Sequence, residues 1–352
     1  VDKYYGQNPA FVAPVFEQFG LEETLQFFKE LGIYPKERNG GYYPQSEQAT
    51  AIRDVLLMEL KKQNVGVVCG CGIRGIEKTA KGFTFHTKGG DFYATKCIMA
   101  TGGKTLKKSG SDGSGFLYLE SLGHHIIDLV PGLIGLKGKQ SFFADIAGIR
   151  ADVKVDLYIE STHVCSEQGE LQLTNYGISG IPVFQLSRVA TRALSEQKKV
   201  YATLNFVPFW EKEQCLTYFK ERFKKADEKH IGEALIGFFP EKLIPVLLEE
   251  SHIKATKYAN RLQTEELERF IDTVQGLRVD ITDWNTFDTA QVTAGGVDTD
   301  EIDAETMESK LCPGLYFAGE MVDIDGICGG YNLQWAWSSG AVAGIHVARE
   351  LS

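Results

Sequence analysis

The chain is 352 residues long, with 43% hydrophobic and 24% charged residues, a composition ordinary for a globular protein but a length too great for one simple core. Its formal charge of -10 argues against a nucleic-acid-binding surface, which needs clustered Lys and Arg, and the small group Lys104, Lys107 and Lys108 does not alter that. No run approaches the roughly 18 apolar residues of a membrane span, and seven scattered Cys resemble reduced thiols more than a disulfide framework, so a cytoplasmic protein is the expectation.

The chain opens at Val1 with neither Met nor an apolar leader, which we read as a start partway into a longer protein. Apolar spacing of three and four predicts helices over Leu21 to Leu31 and Gln48 to Lys62. In the second, Ala51, Ile52, Val55, Leu56 and Met58 to Leu60 form the expected buried stripe. Strands are expected at Val65 to Cys69, Ile73 to Lys78, Phe83 to Thr87 and Phe92 to Ala94, with a hairpin turn at Lys88-Gly89-Gly90-Asp91. A hydrophobic strand, Lys96 to Ala100, then stops in Thr101-Gly102-Gly103. From about Pro131 short β-rich runs dominate, and from Phe209 to about Gln275 the texture is helical and charged. Strands return after Gly276, and Leu315 to Glu320 precedes a long helical tail. The simplest organisation is one α/β domain split in sequence. Residues 1–130 form its first part, 131–208 a β-rich insertion, 209–275 a helical insertion, 276–292 a strand returning to the β-rich part, and 293–352 the second part.

Gly70-Cys71-Gly72-Ile73-Arg74-Gly75 matches the dinucleotide pattern G-x-G-x-x-G. That chemistry requires a helix to begin at the last glycine, so that its amides face a pyrophosphate. The residues that follow, Ile76 to Phe83, have no helical apolar stripe and contain Gly82, so we read consecutive strands of a small meander. Cys69 and Cys71 are expected to share one strand face as buried small side chains, because no partner ligands at metal spacing accompany them.

Two segments carry chemistry. The first, Gly314 to Gly344, reads as a buried strand ending in Gly319-Glu320, then Asp323, Gly326, Gly329-Gly330-Tyr331-Asn332 and a helix rich in small residues. Glycines between strand and helix let backbone approach a ligand. A helix beginning near Tyr331 would aim free N–H groups and its positive dipole end at an electron-rich ring edge. Asp323 can accept a hydrogen bond from a sugar-like hydroxyl. The alternative is a glycine-rich turn into a packed helix. The second segment is the strand end Ala100-Thr101-Gly102-Gly103. One cofactor can touch both strand ends at the carboxyl edge of a sheet.

With these segments the chain resembles the BaiN/YhiN-type bacterial NAD(P)/FAD-dependent oxidoreductases, flavoproteins of the two-dinucleotide-binding group. The matching blocks are Gly41-Tyr42-Tyr43-Pro44, Ala100 to Lys104, Asn175-Tyr176-Gly177-Ile178-Ser179-Gly180, and Val292 to Val297 onward through Gly319-Glu320 to Gly329-Gly330-Tyr331-Asn332-Leu333-Gln334-Trp335-Ala336-Trp337-Ser338-Ser339-Gly340. The resemblance implies a discontinuous α/β FAD-binding domain of the glutathione-reductase-like Rossmann type, with an inserted β-barrel-like subdomain and a helical subdomain. It implies FAD as cofactor and NAD(P)H as electron donor. The cofactor contacts it implies are Ile73, Ala100, Thr101, Gly102, Gly103, Gly319, Glu320, Asp323, Gly329, Gly330, Tyr331, Asn332 and Leu333. Members of this family open with a strand and a glycine-rich phosphate loop that this sequence does not contain, so weak or lost FAD binding by these residues is the expectation.

Flavin enzymes need few protein catalysts. Cys328 is either a thiol at the flavin or a small apolar filler, and Tyr331 either a proton donor, a substrate platform or packing. His124-His125 are accounted for by charge at a helix C-terminus, and Trp335 and Trp337 by packing. We find no metal site. The expected activity passes hydride from NAD(P)H through flavin to a small organic acceptor such as a steroid-like or bile-acid-like enone, with no nucleic-acid or membrane partner. A flavin-binding sensor or structural protein without turnover is the alternative.

Overall fold

In the first unit the apolar run Leu315–Phe317 forms a strand whose three side chains are all buried. It lies parallel to Cys97–Met99, with Leu315 opposite Cys97 and Phe317 opposite Met99. The computed structural model describes all 352 residues, which fall into two units: Val1–Leu129 with Val292–Ser352, and Val130–Gln291. In the first unit, every residue of the strand Val292–Val297 is buried. Its glycines are demanded by close crossings: a Cβ on Gly295 would strike the Asp128 carbonyl, and one on Gly296 would meet the backbone of Met321 to Asp323.

The core of this unit gathers Phe11, Val12, Val15, Phe116, Leu119, Tyr316, Met321, Trp335 and Val342. Each such side chain contributes about 1.5–3 kcal/mol on full burial. Trp335, 1% exposed, donates its indole N–H to the Gly319 carbonyl at 3.0 Å, which satisfies the one polar atom of a buried ring. Trp337 packs edge-on against Phe28. Both tryptophans serve packing, as expected.

Ile73–Thr79, Gly82–Thr87 and Gly90–Ala94 form an antiparallel meander. Gly75 therefore sits inside a strand, and the glycine pattern at 70–75 opens no helix. Three expectations fail nearby. Residues 65–69 form no strand; a β-branched run becomes a strand only when another backbone pairs with it. Cys69 is exposed and Cys71 half-exposed, so neither is the buried filler expected. The helix Ala49–Lys62 forms where periodicity placed it but buries none of its residues, and Leu57, Met58 and Leu60 are exposed. Periodicity reports which face a helix can bury, not whether a neighbour covers it.

The second unit contains a closed six-stranded barrel in the order Arg150–Ile159, Thr162–Leu173, Gly177–Gly180, Leu136–Gly138, Leu277–Trp284, Val200–Asn205. Val153, Val155 and Leu157 alternate inward along its first strand, as period-two patterning requires. The helices Ile181–Ser195, Lys212–Lys224, Leu243–Glu250 and Thr264–Gly276 share one apolar cluster with the barrel. Phe219 is central among its aromatic side chains, packed on Phe223, Phe238, Phe239 and Phe270. No helix of the chain is long and apolar enough to cross a membrane.

Candidate functional site

Two parallel strands ending side by side deliver the chain at one edge in two glycine-bearing loops, Ala100 to Lys104 and Gly319 to Gly330. The Ala318 N–H donates to the Met99 carbonyl at 3.0 Å, which carries the pairing one step past the strands. Glu320 follows at once. Its Oε2 accepts the Gly103 N–H at 3.1 Å and its Oε1 the Thr293 N–H at 2.5 Å. The Thr293 hydroxyl oxygen accepts the Lys104 N–H at 2.7 Å. Three segments far apart in sequence thus meet on one carboxylate. Burial pushes the Glu320 carboxyl above its ordinary range, while the donated N–H groups from Thr293 and Gly103 pull the other way.

Thr101 adds weak contacts from its N–H and hydroxyl to the Met321 sulfur, at 3.3 and 3.2 Å. Gly102 has φ +74°, and Ser111 fills the space its side chain would take. The Ser111 hydroxyl oxygen is itself buried without a hydrogen-bond partner. Ala100 is exposed.

The second loop is tied to the terminal helix Tyr331–Leu351. The Gly319 N–H donates to the Ser339 hydroxyl at 2.8 Å, and that hydroxyl donates to the Trp335 carbonyl at 2.6 Å. Asp323, 1% exposed, accepts the Gln7 N–H on Oδ2 at 2.8 Å. Asn332 pairs its whole amide with Gly326: Oδ1 accepts the Gly326 N–H and Nδ2 donates to the Gly326 carbonyl, both at 2.8 Å. Its side chain shapes the loop from within. Gly330, at φ +95°, caps the terminal helix with no side-chain hydrogen bond, and a Cβ there would meet nothing within 4 Å. Gly329 is also left-handed, at φ +125°.

Tyr331 is half-buried, its ring edge-on to Tyr4 at 5.9 Å and its carbonyl accepting the Tyr4 hydroxyl at 3.0 Å. Burial raises the Tyr4 phenol well above its usual range. Cys328 is half-buried and Leu333 exposed. Ile73 stands apart, in the meander, with its carbonyl accepting the Tyr118 hydroxyl at 2.6 Å. The structure therefore joins Gly102, Gly103 and Glu320 in one cluster and Gly329 to Asn332 in another, linked through Gly319. Sequence reading gave no role to Thr293, Ser111, Gln7 or Tyr4. No local signal marks them, since their partners lie up to 327 residues away.

Sequence reading also missed His124. It is buried rather than a solvated helix-end charge, with Nδ1 2.8 Å from Glu301 Oε2 and Nε2 2.9 Å from Ser309 Oγ. The order serine, histidine, carboxylate suggests a nucleophile. However, Ser309 is 4% exposed and its oxygen already accepts the N–H groups of Leu311 and Cys312, so this is an internal brace.

An uncapped helix start, left-handed glycines open to approach and an unsatisfied buried hydroxyl fit a ligand that comes close to backbone and brings its own acceptors and donors. An electron-rich group suits the helix start, and a hydroxylated or phosphorylated one the strand-end loop.

A 3-dehydro-bile acid delta(4,6)-reductase of Clostridium scindens is 43% identical over 341 residues, covering 97% of this chain and 83% of that protein. A ribosomal RNA dihydrouridine synthase of Escherichia coli is 28% identical over 336 residues, 96% of this chain and 81% of the relative. Its namesake in Haemophilus influenzae is 26% identical over 355 residues, covering 99% and 84%. The likeness to a named reductase identifies an oxidoreductase. The HI0933-like protein Rossmann domain profile matches residues 1–346, and the chain belongs to that family.

Proposed function

We propose that this oxidoreductase is an FAD-dependent reductase that uses NAD(P)H to saturate a carbon–carbon double bond conjugated to a carbonyl in a steroid-like acid. The observation that carries this reading is the 43% identity to the bile-acid reductase across 97% of the chain. The relatives' names share one chemistry. A 3-dehydro delta(4,6) bile acid places its double bonds in conjugation with a ring ketone, and forming dihydrouridine saturates the uracil bond conjugated to a ring carbonyl.

When bound, the flavin supplies the hydride carrier. The protein's part is position and electrostatics. The start of Tyr331–Leu351 offers uncapped N–H groups and a positive dipole end to an electron-rich ring edge. Ala100 to Gly103 and Gly319-Glu320 are the proposed contacts on one side, and Asp323 and Gly329 to Leu333 those on the other, with Ile73 a more distant candidate. Tyr331, at the first helical turn, is the candidate donor of the proton that completes the reduction, and Cys328 the alternative.

A ribosomal RNA substrate is the second reading. Two dihydrouridine synthases at 28% and 26% identity favour it, and the net charge of -10 opposes it. The test supplies saturating FAD, so that retention of the cofactor is not a variable, and follows loss of NADH or NADPH with a 3-oxo steroid carrying the conjugated double bond. Flavin-dependent consumption that requires the steroid is expected. Turnover with RNA and none with the steroid would reverse the two readings, and no turnover with either by protein that holds FAD would sink the flavin-reductase reading.

A further inference from the structure

We infer that Thr293 is a positioning residue for the proposed flavin site: together with Glu320 it clamps the backbone of Gly103 and Lys104 and so sets the shape of the strand-end loop. This rests on the flavin reading for the identity of the ligand, but the clamp is in the structure. Thr293 acts at two atoms. Its N–H donates to Glu320 Oε1 at 2.5 Å, and its hydroxyl oxygen accepts the Lys104 N–H at 2.7 Å. Glu320 Oε2 takes the neighbouring Gly103 N–H at 3.1 Å. Two successive amides of the loop are thus held by two side chains that reach them from chain segments 189 and 217 residues away.

Thr293 is 1% exposed, so water cannot replace these bonds without the strand moving. Neighbouring groups leave little slack. A Cβ on Gly103 would fall onto the Thr293 hydroxyl, one on Gly115 onto the Thr101 hydroxyl, and Ser111 fills the space beside Gly102. The clamp therefore fixes the path of the loop: buried Gly103 is packed against it, and half-buried Gly102 is the glycine whose backbone position it sets. A site that binds through backbone approach depends on that position. The bonds of Thr293 go to the Lys104 backbone and to the Glu320 carboxylate, both groups of the protein itself, which makes it a positioning residue.

The experiment compares wild type with Thr293→Val, which keeps shape and loses the acceptor, and Thr293→Ser, which keeps the acceptor. Glu320→Gln serves as a second probe, because its amide presents a donor to an N–H. Amide hydrogen exchange is read at Gly103 and Lys104, FAD affinity by quenching of flavin fluorescence, and folding by circular dichroism and melting. Thr293→Val is expected to speed exchange at Lys104 at least about tenfold and to weaken FAD binding about tenfold, while exchange in the barrel strands is unchanged. Thr293→Ser is expected to restore both, and Glu320→Gln to speed exchange at Gly103. Wild-type exchange and affinity in Thr293→Val overturn the proposal, as does failure of Thr293→Ser to rescue. If wild type takes up no FAD, the outcome expected from the missing phosphate loop, the affinity comparison drops out and exchange at Lys104 in Thr293→Val against wild type decides whether Thr293 holds the loop.

Discussion

Replacing Gly103 by Ala puts one methyl group where three segments meet. The added Cβ would fall onto the Thr293 hydroxyl oxygen, 2.6 Å from Thr293 Cβ and 2.9 Å from Glu320 Cδ. All three lie below ordinary van der Waals separation, and Thr293 sits in a fully buried strand that cannot swing away. Overpacking of this kind costs about 1–3 kcal/mol. Pushing the loop back also separates the Gly103 N–H from Glu320 and the Lys104 N–H from Thr293, each worth about 1 kcal/mol and more where a buried acceptor stays unmet. The sum is about 3–5 kcal/mol, and for a unit of this size it lowers the melting temperature by roughly 6 to 20 °C. Differential scanning calorimetry of the Gly103→Ala protein checks it. Gly72→Ala is the control, because Gly72, like Gly103, is not left-handed, but a Cβ there meets nothing within 4 Å. That control should change stability by no more than about 0.5 kcal/mol. A Gly103→Ala protein that melts within a degree of wild type would refute the clamp geometry.

Glu320 gives a pH signature. Its folded-state pKa is raised, so its contribution to stability is present below the unfolded-state pKa and is lost as pH rises through the folded value. Wild type should therefore lose stability relative to Glu320→Gln as pH climbs from the ordinary carboxylate range toward neutrality, and a difference in melting temperature that is flat with pH contradicts this. His124→Phe fills the ring's space and removes its hydrogen bonds to Glu301 and Ser309, which keep their backbone N–H partners, at a cost of about 1–3 kcal/mol in urea denaturation; a loss under about 0.5 kcal/mol would show the brace to be idle. Asn332→Ala removes both hydrogen bonds to Gly326 and should cost about 1–3 kcal/mol, with faster amide exchange at Gly326 as the local readout.

Local chemistry was legible in the sequence. Glycines at 319, 329 and 330 read as places where backbone can approach a ligand, and all three adopt left-handed backbone. The helix expected near Tyr331 starts at Tyr331, where Gly330 ends the turn. The meander was readable because its strands alternate and its turns carry glycine. What escaped were contacts that depend on a distant partner. In sequence His124 beside His125 reads as charge at a helix C-terminus, until folding brings Glu301 and Ser309, 177 and 185 residues on, against the two ring nitrogens of His124. The helix Ala49–Lys62 fails in the opposite sense: its apolar stripe is real, yet nothing buries it.

The same distinction changes what Glu320 means. On the sequence, Glu320 is one of the cofactor contacts that the family resemblance implies. In the fold both of its oxygens already accept backbone N–H groups, and Asn332 has likewise spent its amide on Gly326. The polar side chains of the motif are turned inward to hold the loops, and the groups left facing outward are backbone: left-handed Gly329 and Gly330 and the uncapped helix start. A site made this way recognises its ligand by the shape of the main chain. The residues most worth mutating are therefore those behind the loop, and a substitution such as Thr293→Val, which alters no exposed surface, should disturb binding more than replacing exposed Leu333 at the helix start.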